Sequence, residues 1–312
     1  IAAAGQLHTQ DPLAALLEET GIRTTFGLLT TGDIDPDTLN LDPLLVPDDV
    51  DALVAVHYAG LPVDLAALPH RPRVVVEDAA QALGARTPDG PVGNCARSDM
   101  TTFSFHPVKT VTTGEGGAVT TNDAGLADRL RAFRHHNQKP GTVTEPWAVH
   151  IDEPGYNYRL TDMQAALGTS QLSKVDRFVD KRETLARRYD LALADLDLLA
   201  PPPAPEAVRH ARHLYPVRVE RRRDVYHAMH DAGVAVQVHY VPIHHHPAYR
   251  FGTTPEDLPH TEAACAHLLS LPLFPDLTED EQRHVVDSLH RAVSDSGSYT
   301  HLRAHETIHA IA

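Results

Sequence analysis

The sequence predicts an α/β protein in which a large domain with a mostly parallel sheet precedes a small C-terminal α+β domain. Apolar, β-branched runs alternate with helix-like segments over the first 110 residues, a pattern typical of parallel sheets. From residue 161 the pattern changes to a long helical stretch followed by mixed strand and helix signals. A length of 312 residues accommodates two such domains.

Four runs in the first domain are predicted to be strands, because short apolar segments with polar or small ends are typical of buried strands. They are LVAVHYAG (53–60), RVVVEDAA (73–80), DMTTFSFH (99–106) and GGAVTTN (116–122). A helix is predicted over 123–136, with Asn122 or Asp123 as its N-cap.

A long helix is predicted over 161–196, opening at Thr161 or Asp162 and with Gly168 as its point of weakness. This helix completes the large domain, 1–196, and the PPPAP segment (201–205) forms a stiff linker.

The small domain is expected over 206–295. Its predicted elements are a strand-like HLYPVRV (213–219), a helix over 224–233, a strand over 234–242 and a helix over 278–293. Thr278 and Glu281 predict a capping box for the last helix. Residues 296–312 continue no helical pattern and are predicted to be a disordered, non-native tail.

Composition excludes several classes of function. The net charge of −15 disfavours a nucleic-acid partner, although one positive pocket could still bind a small anion. Cys95 and Cys265 lack metal-like spacing, which disfavours a zinc or iron–sulfur site and fits a reducing cytoplasm. No apolar run approaches the ~20 residues of a membrane span, so no membrane partner is expected.

The block SFHPVKTVTTGEGGAVTTN (104–122) carries the chemically informative residues Ser104 and Lys109. Upstream, Asp78 ends an apolar strand. Because open α/β sheets bind ligands at the carboxyl ends of their strands, we expect these residues to face one crevice. The cofactor pyridoxal phosphate (PLP) needs a lysine amine, a carboxylate for its ring nitrogen and donors for its phosphate. Spacing alone favours a structural interpretation, with a helix-capping Asp78, a solvated Lys109 and glycines that form a tight hairpin.

Six blocks add a family resemblance. They are DIDPDTLNLDP (33–43), VHYAGLPVDL (56–65), VVEDAAQALGA (75–85), the 104–122 block, GYNYRLTDMQAALGTSQL (155–172) and LSLPLFPDLTEDE (269–281). In this order they resemble the DegT/StrS-type sugar aminotransferases, which are fold-type-I PLP enzymes. The SFHPVK and GYNYR forms most resemble enzymes that aminate C4 of UDP-linked 4-keto-6-deoxy sugars for pseudaminic-acid-type pathways.

The resemblance implies the cofactor contacts. Lys109 holds PLP covalently and then acts as general acid and base, while Asp78 pairs with the ring nitrogen. Gln81 lies near the ring oxygen and Ser104 binds the phosphate. Asn157 reaches the phosphate of a neighbouring subunit's cofactor, so a homodimer with shared active sites is expected.

The resemblance also implies substrate contacts. His106 lines the pocket, Arg159 lies close to Asn157, and the loop of His244 lies near the sugar. L-glutamate is the implied amino donor and a nucleotide sugar the acceptor. No metal is expected, because consecutive residues of a regular strand, such as His244, His245 and His246, cannot all point at one ion. A solvated loop is the alternative for this run.

Two other functions stay open. A sugar dehydratase could share the scaffold, but such relatives carry histidine in place of Lys109 and some need an iron–sulfur cluster. Alternatively, the chain is an inactive truncated fragment. Residues 1–32 lack the family's Ser-Gly-Thr phosphate turn and its residue that stacks on the PLP ring, so an N-terminally incomplete large domain is expected.

Overall fold

The computed structural model describes most of the chain. The described residues are 24–26, 33–138, 147, 149–196, 198–201, 203–247 and 254–306. The expectations about residues 1–32 therefore lie, apart from 24–26, outside the described residues. None of the helices formed by the described residues is long and apolar enough to cross a membrane.

The strands confirm the predicted α/β class. They are β1 (Thr24–Phe26), β2 (Ala52–Val56), β3 (Val74–Asp78), β4 (Arg86–Thr87), β5 (Gly90–Pro91), β6 (Met100–Ser104), β7 (Gly117–Thr120), β8 (Tyr215–Arg218) and β9 (Leu268–Leu271). The main sheet has the order β1-β2-β3-β6-β7. Its first four strands are parallel and β7 is antiparallel to β6, so the sheet is mostly parallel as predicted.

The register of the sheet places several strand ends at one edge. Val56 pairs with Asp78, and Asp78 pairs with Thr102 near the end of β6. All five residues of β2 are buried, because both faces of this interior strand are covered.

The helices are α1 (Ala124–Phe133), α2 (Asp162–Leu172), α3 (Val175–Ala192), α4 (Arg222–Asp231), α5 (Pro259–His267) and α6 (Glu279–Glu306). Asp123 caps α1 by accepting a hydrogen bond from Leu126 N. Before β3, the expected helix-like segments are wrong, because the described residues there form short 3-10 turns. Asp42 and Asp64 cap two of these turns through their side chains, which competes with longer helices.

The long helix predicted over 161–196 is two helices, and the position of its break differs from the prediction. The chain bends between α2 and α3 at Ser173 and Lys174, whereas Gly168 lies buried inside α2. A Cβ added at Gly168 would lie 3.0 Å from Thr113 Cγ2. The absence of a side chain at Gly168 therefore lets α2 pack closely on the loop before β7. Thr161 and Gln164 form the N-terminal capping box of α2.

The small domain is built on the antiparallel pair β8 and β9. Tyr215, Met229, Leu269 and Leu289 are fully buried in its core. Tyr189 of α3 belongs to the same core, so this helix packs against the C-terminal elements.

The strand predicted over 234–242 is wrong. Only one bridge forms there, between Gln237 and Ser270, and β9 pairs with β8 instead. After Gln237 the chain leaves the sheet, and the hydroxyl of Tyr240 contacts Gln81.

Helix α6 follows the predicted capping box, in which Thr278 Oγ1 accepts from Glu281 N at 3.3 Å. It continues to Glu306, past residue 296, where the predicted tail begins. Once a helix is nucleated, each added residue gains a backbone hydrogen bond at little cost.

Candidate active site

The carboxyl edge of the main sheet brings together two of the predicted cofactor residues. Asp78 is the last residue of β3, and its side chain is buried. Ser104 is the buried last residue of β6 and pairs with Gly117 at the start of β7. Lys109 lies in the loop between these two strands. The sheet thus presents a carboxylate, a hydroxyl and an amine at one edge.

The amine of Lys109 has an altered acidity. Burial lowers its pKa below the ordinary lysine value, and the nearby Asp78 carboxylate partly opposes this shift. The backbone of Lys109 is held by its N–H, which donates to His106 O at 3.0 Å. An amine with a lowered pKa loses its proton more readily, so a larger fraction of it is in the unprotonated form that acts as a nucleophile.

Gln81 is fixed by contacts from both domains. Its Oε1 accepts from Ala59 N at 2.7 Å, and its Nε2 donates to the hydroxyl of Tyr240 at 3.1 Å. The hydroxyl of Tyr58 donates to the carbonyl of His239 at 2.7 Å. The two tyrosines therefore join the small domain to the large domain beside the site.

Sequence reasoning missed Tyr240 and its neighbours. A signal was present, because the tripeptide Val-His-Tyr occurs at 56–58 and again at 238–240, each time at the end of an apolar run. Both tyrosines of these repeats make the contacts just described.

Two further histidines that the sequence argument missed lie near Lys109. Burial is the main cause that lowers the pKa of His213 well below its ordinary value, and the nearby charge of Lys109 is the second cause. The same causes lower the pKa of His239, whose Nδ1 lies 3.0 Å from Ser270 Oγ. Both rings are therefore neutral at physiological pH, and they add no charge that would repel a protonated lysine.

His106 lies three residues before Lys109, and the role in the substrate pocket that the resemblance implies for it stays a prediction. Its backbone N–H donates to Ser104 Oγ at 3.4 Å, and its ring is partly buried. His106 Nε2 lies 3.9 Å from Glu115 Oε1, a carboxylate that is largely exposed.

Asn157 and Arg159 lie on the surface of this chain. Asn157 forms a backbone bridge with His135, and Arg159 Nη1 donates to His135 Nδ1 at 2.6 Å. Their neighbours Tyr156 and Tyr158 are stacked with ring centroids 4.8 Å apart and are partly exposed. This segment therefore packs at the end of α1, and the fold exposes it rather than turning it onto its own sheet edge.

His244 lies in a 3-10 turn, Ile243–His245, and not in a strand. His244 Nε2 lies 2.6 Å from Glu262 Oε1, and His245 Nε2 lies 2.7 Å from the same oxygen. The strand geometry that argued against a shared ligand is therefore wrong for these two histidines. His246 is exposed and is not part of the cluster.

A second buried acid supports β3 from its other face. Glu77 precedes Asp78, so the two side chains point to opposite faces of the sheet. Glu77 accepts hydrogen bonds from His57 Nε2 at 2.9 Å, from Thr101 Oγ1 at 3.0 Å and from Ser98 Oγ. Burial raises the pKa of Glu77, but these donors outweigh it and hold the pKa below its ordinary value.

Comparison with known proteins agrees with this geometry. The family model for the DegT/DnrJ/EryC1/StrS aminotransferases matches residues 29–290. The spore coat polysaccharide biosynthesis protein SpsC of Bacillus subtilis is 33% identical over 279 residues, which cover 82% of this chain and 71% of SpsC.

Solved structures of sugar aminotransferases share the fold. Helicobacter pylori PseC, an aminotransferase of pseudaminic acid biosynthesis, is 29% identical with a TM-score of 0.79, over 90% of this chain and 76% of PseC. The Streptococcus pneumoniae sugar aminotransferase Spr1654 in its PLP form is 25% identical with a TM-score of 0.78, over 90% of this chain and 78% of that one.

The sheet edge also fits the cofactor of these relatives. It offers a lysine amine of lowered pKa, a buried carboxylate and a buried hydroxyl, the three group types that PLP requires. Fold, site chemistry and family match agree. The chain therefore belongs to the DegT/DnrJ/EryC1/StrS aminotransferase family and is a PLP-dependent transaminase.

Proposed function

We propose that this transaminase moves an amino group from L-glutamate to the C4 ketone of a UDP-linked 4-keto-6-deoxy sugar. The observation that carries the proposal is the half-buried Lys109, whose pKa is lowered by burial beside the Asp78 carboxylate at the carboxyl edge of the sheet. A surface lysine would have neither the burial nor the buried acid.

Each residue of the edge has a proposed task. When bound, PLP supplies an electron sink that makes the proton on the amino donor's Cα acidic. Lys109 moves that proton, since its lowered pKa leaves a larger fraction of the amine free to accept a proton at a given pH. Asp78 holds a proton on the ring nitrogen, Ser104 binds the phosphate, and Gln81, held by Tyr240, orients the ring.

Borohydride reduction tests the role of Lys109. The purified chain is incubated with PLP, reduced and digested, and the peptides are mapped by mass spectrometry. We expect the pyridoxyl label on Lys109 and none in a Lys109→Arg variant, because arginine keeps the charge but offers no free amine. A label on Lys174 or Lys181 alone would contradict the proposed site.

The proposed acceptor rests on the sequence blocks and on the relatives. SFHPVK and GYNYR resemble the forms of 4-aminotransferases, and PseC acts in pseudaminic acid biosynthesis. The enzyme is incubated with L-glutamate and a UDP-4-keto-6-deoxy sugar. An amino sugar and 2-oxoglutarate in equal amounts are expected, whereas a deoxygenated sugar without an amine would indicate a dehydratase.

A homodimer with shared sites is also proposed. Large apolar side chains are exposed along 147–172, a concentration typical of a protein interface. They are Trp147, Val149, Ile151, Tyr156, Tyr158, Leu160, Met163, Leu167 and Leu172. Asn157 and Arg159 lie within this segment, so a partner chain that covers it comes within reach of both.

Complementation tests the shared site. An Asn157→Ala chain and a Lys109→Ala chain are each expected to be nearly inactive. Mixed heterodimers contain one site with both intact residues and should regain part of the activity. If heterodimers form but remain inactive, the sites are not shared. This outcome can be told apart from a failure of the Lys109 assignment, which borohydride labelling tests separately.

A further inference from the structure

Three metal-ligating side chains meet in and beside the turn that follows Tyr240. His244, His245 and Glu262 each offer one ligand atom, and these atoms lie within 4.8 Å of one another. Both imidazole Nε2 atoms contact the same carboxylate oxygen, and the two rings are nearly perpendicular, at 82° with centroids 4.6 Å apart.

The backbone explains why neighbouring histidines converge. The turn is closed by His245 N donating to Pro242 O at 3.0 Å and His246 N donating to Ile243 O at 2.9 Å. With about three residues per turn, successive side chains diverge less than on a strand, where they point to opposite faces. Glu262, on the facing helix α5, comes from a different element.

We propose that His244 Nε2, His245 Nε2 and a Glu262 carboxylate oxygen bind a Zn²⁺ ion. Two imidazoles and one carboxylate are a known zinc ligand set, with a solvent molecule in the fourth position. His244 is buried while the His245 side chain is 40% exposed, so the site opens to solvent on one side. Tetrahedral coordination at ordinary bond lengths requires the N···O separations to widen by about 0.7 Å.

The surroundings of His244 set the expected affinity. Zinc-bound imidazoles usually donate their second N–H to an acceptor, and such contacts contribute about 10–100-fold in affinity. His244 Nδ1 is buried and has no hydrogen-bond partner among the described residues. The site is therefore expected to bind zinc in the micromolar range, below the affinity of a structural zinc centre.

A bound ion would fix the position of the turn Ile243–His245. The turn follows His239 and Tyr240, whose contacts reach Tyr58 and Gln81 in the large domain. Zinc would tie this turn to α5 and stabilise the fold without touching Lys109. Zinc should therefore raise the melting temperature and leave borohydride labelling of Lys109 unchanged.

The test uses the full chain, freed of unbound cofactor by gel filtration. Zn²⁺ is titrated by calorimetry, and Co²⁺ binding is followed by its visible ligand-field bands. One site per chain is expected. Glu262→Gln and His245→Gln should each weaken binding at least about 10-fold and abolish the tetrahedral Co²⁺ spectrum.

His246→Gln is the matched control, because it removes an adjacent exposed histidine that lies outside the cluster, and it should leave the affinity within about 2-fold of wild type. Since His245 is exposed, its variant should fold even if a buried substitution does not. The assignment would be overturned if the wild type bound zinc only in the millimolar range, or if wild type and Glu262→Gln bound it equally. In that case the three side chains only hydrogen-bond the turn to α5.

Discussion

Replacing His57 with leucine tests how much the hydrogen bond between His57 and the buried Glu77 contributes to the stability of the fold. The His57 ring is completely buried, its Nδ1 accepts from Val63 N at 3.1 Å, and its Nε2 donates to Glu77 Oε2 at 2.9 Å. Because Nδ1 accepts a backbone N–H, the proton must be on Nε2. Leucine fills a similar volume but leaves both partners without this ring.

The magnitude follows from the two lost contacts. A hydrogen bond to a charged group contributes about 1.5–3 kcal/mol, and an orphaned buried N–H costs about 1–3 kcal/mol. Glu77 still accepts hydrogen bonds from the hydroxyls of Ser98 and Thr101, so its carboxylate keeps part of its hydrogen bonding. The variant should lose about 3–5 kcal/mol of unfolding free energy, in line with other broken buried pairs.

The same carboxylate gives a pH dependence. The folded-state pKa of Glu77 is held below its ordinary value of 4.5, so folding favours the ionised form. Its stabilisation is therefore fully present above the unfolded-state pKa and is lost as the pH falls through the folded-state pKa. A Glu77→Met variant should lose stability mainly at neutral pH and show a flatter acid limb.

Urea unfolding followed by circular dichroism measures these differences. The single variants and the double variant His57→Leu/Glu77→Met form a cycle, in which a coupling of at least about 1 kcal/mol is expected. A loss below about 1 kcal/mol in His57→Leu would refute the account of a charged, fully desolvated hydrogen bond.

Two other substitutions test the site directly. Gly60→Ala should destabilise the chain and weaken PLP binding, because Gly60 has φ +93° and an added Cβ would lie 2.7 Å from Gln81 O. Gly233→Ala, at φ +78° with nothing within 4 Å, is its matched control and should cost only about 1–2 kcal/mol, measured by thermal melting. Asp78→Asn should keep the fold but slow turnover by several powers of ten, because each pKa unit of lost stabilisation at the ring nitrogen is worth about 1.4 kcal/mol. Near-normal kcat in this variant would reduce Asp78 to a turn-forming residue whose side chain accepts from Ala80 N.

The sheet edge could be predicted because its signals are local. Asp78, Ser104 and Lys109 lie at the ends of strands or in the connection between two of them, so identifying the strands suffices to bring the residues together. The caps at Thr161 and Thr278 are equally local, since each motif spans four residues.

The features that the sequence did not predict correctly depend on tertiary contacts. The alternating apolar pattern of 234–242 favours a strand, but Tyr240 contacts a residue 159 positions away, and no local signal encodes that partner. Gly168 suggested a helix break from its propensity alone, whereas packing against Thr113 retains it inside α2. The pairing of His245 with Glu262 likewise needed the real turn geometry.

The order in which the chain is synthesised has a consequence for the two-domain site. Strands β3, β6 and β7 all lie within residues 74–120, so the floor of the pocket closes over short loops and can form early. The contacts of His239 and Tyr240 close much longer loops and depend on the C-terminal domain. On the ribosome, the nascent chain should therefore expose a formed but open pocket floor until the last third of the protein has emerged.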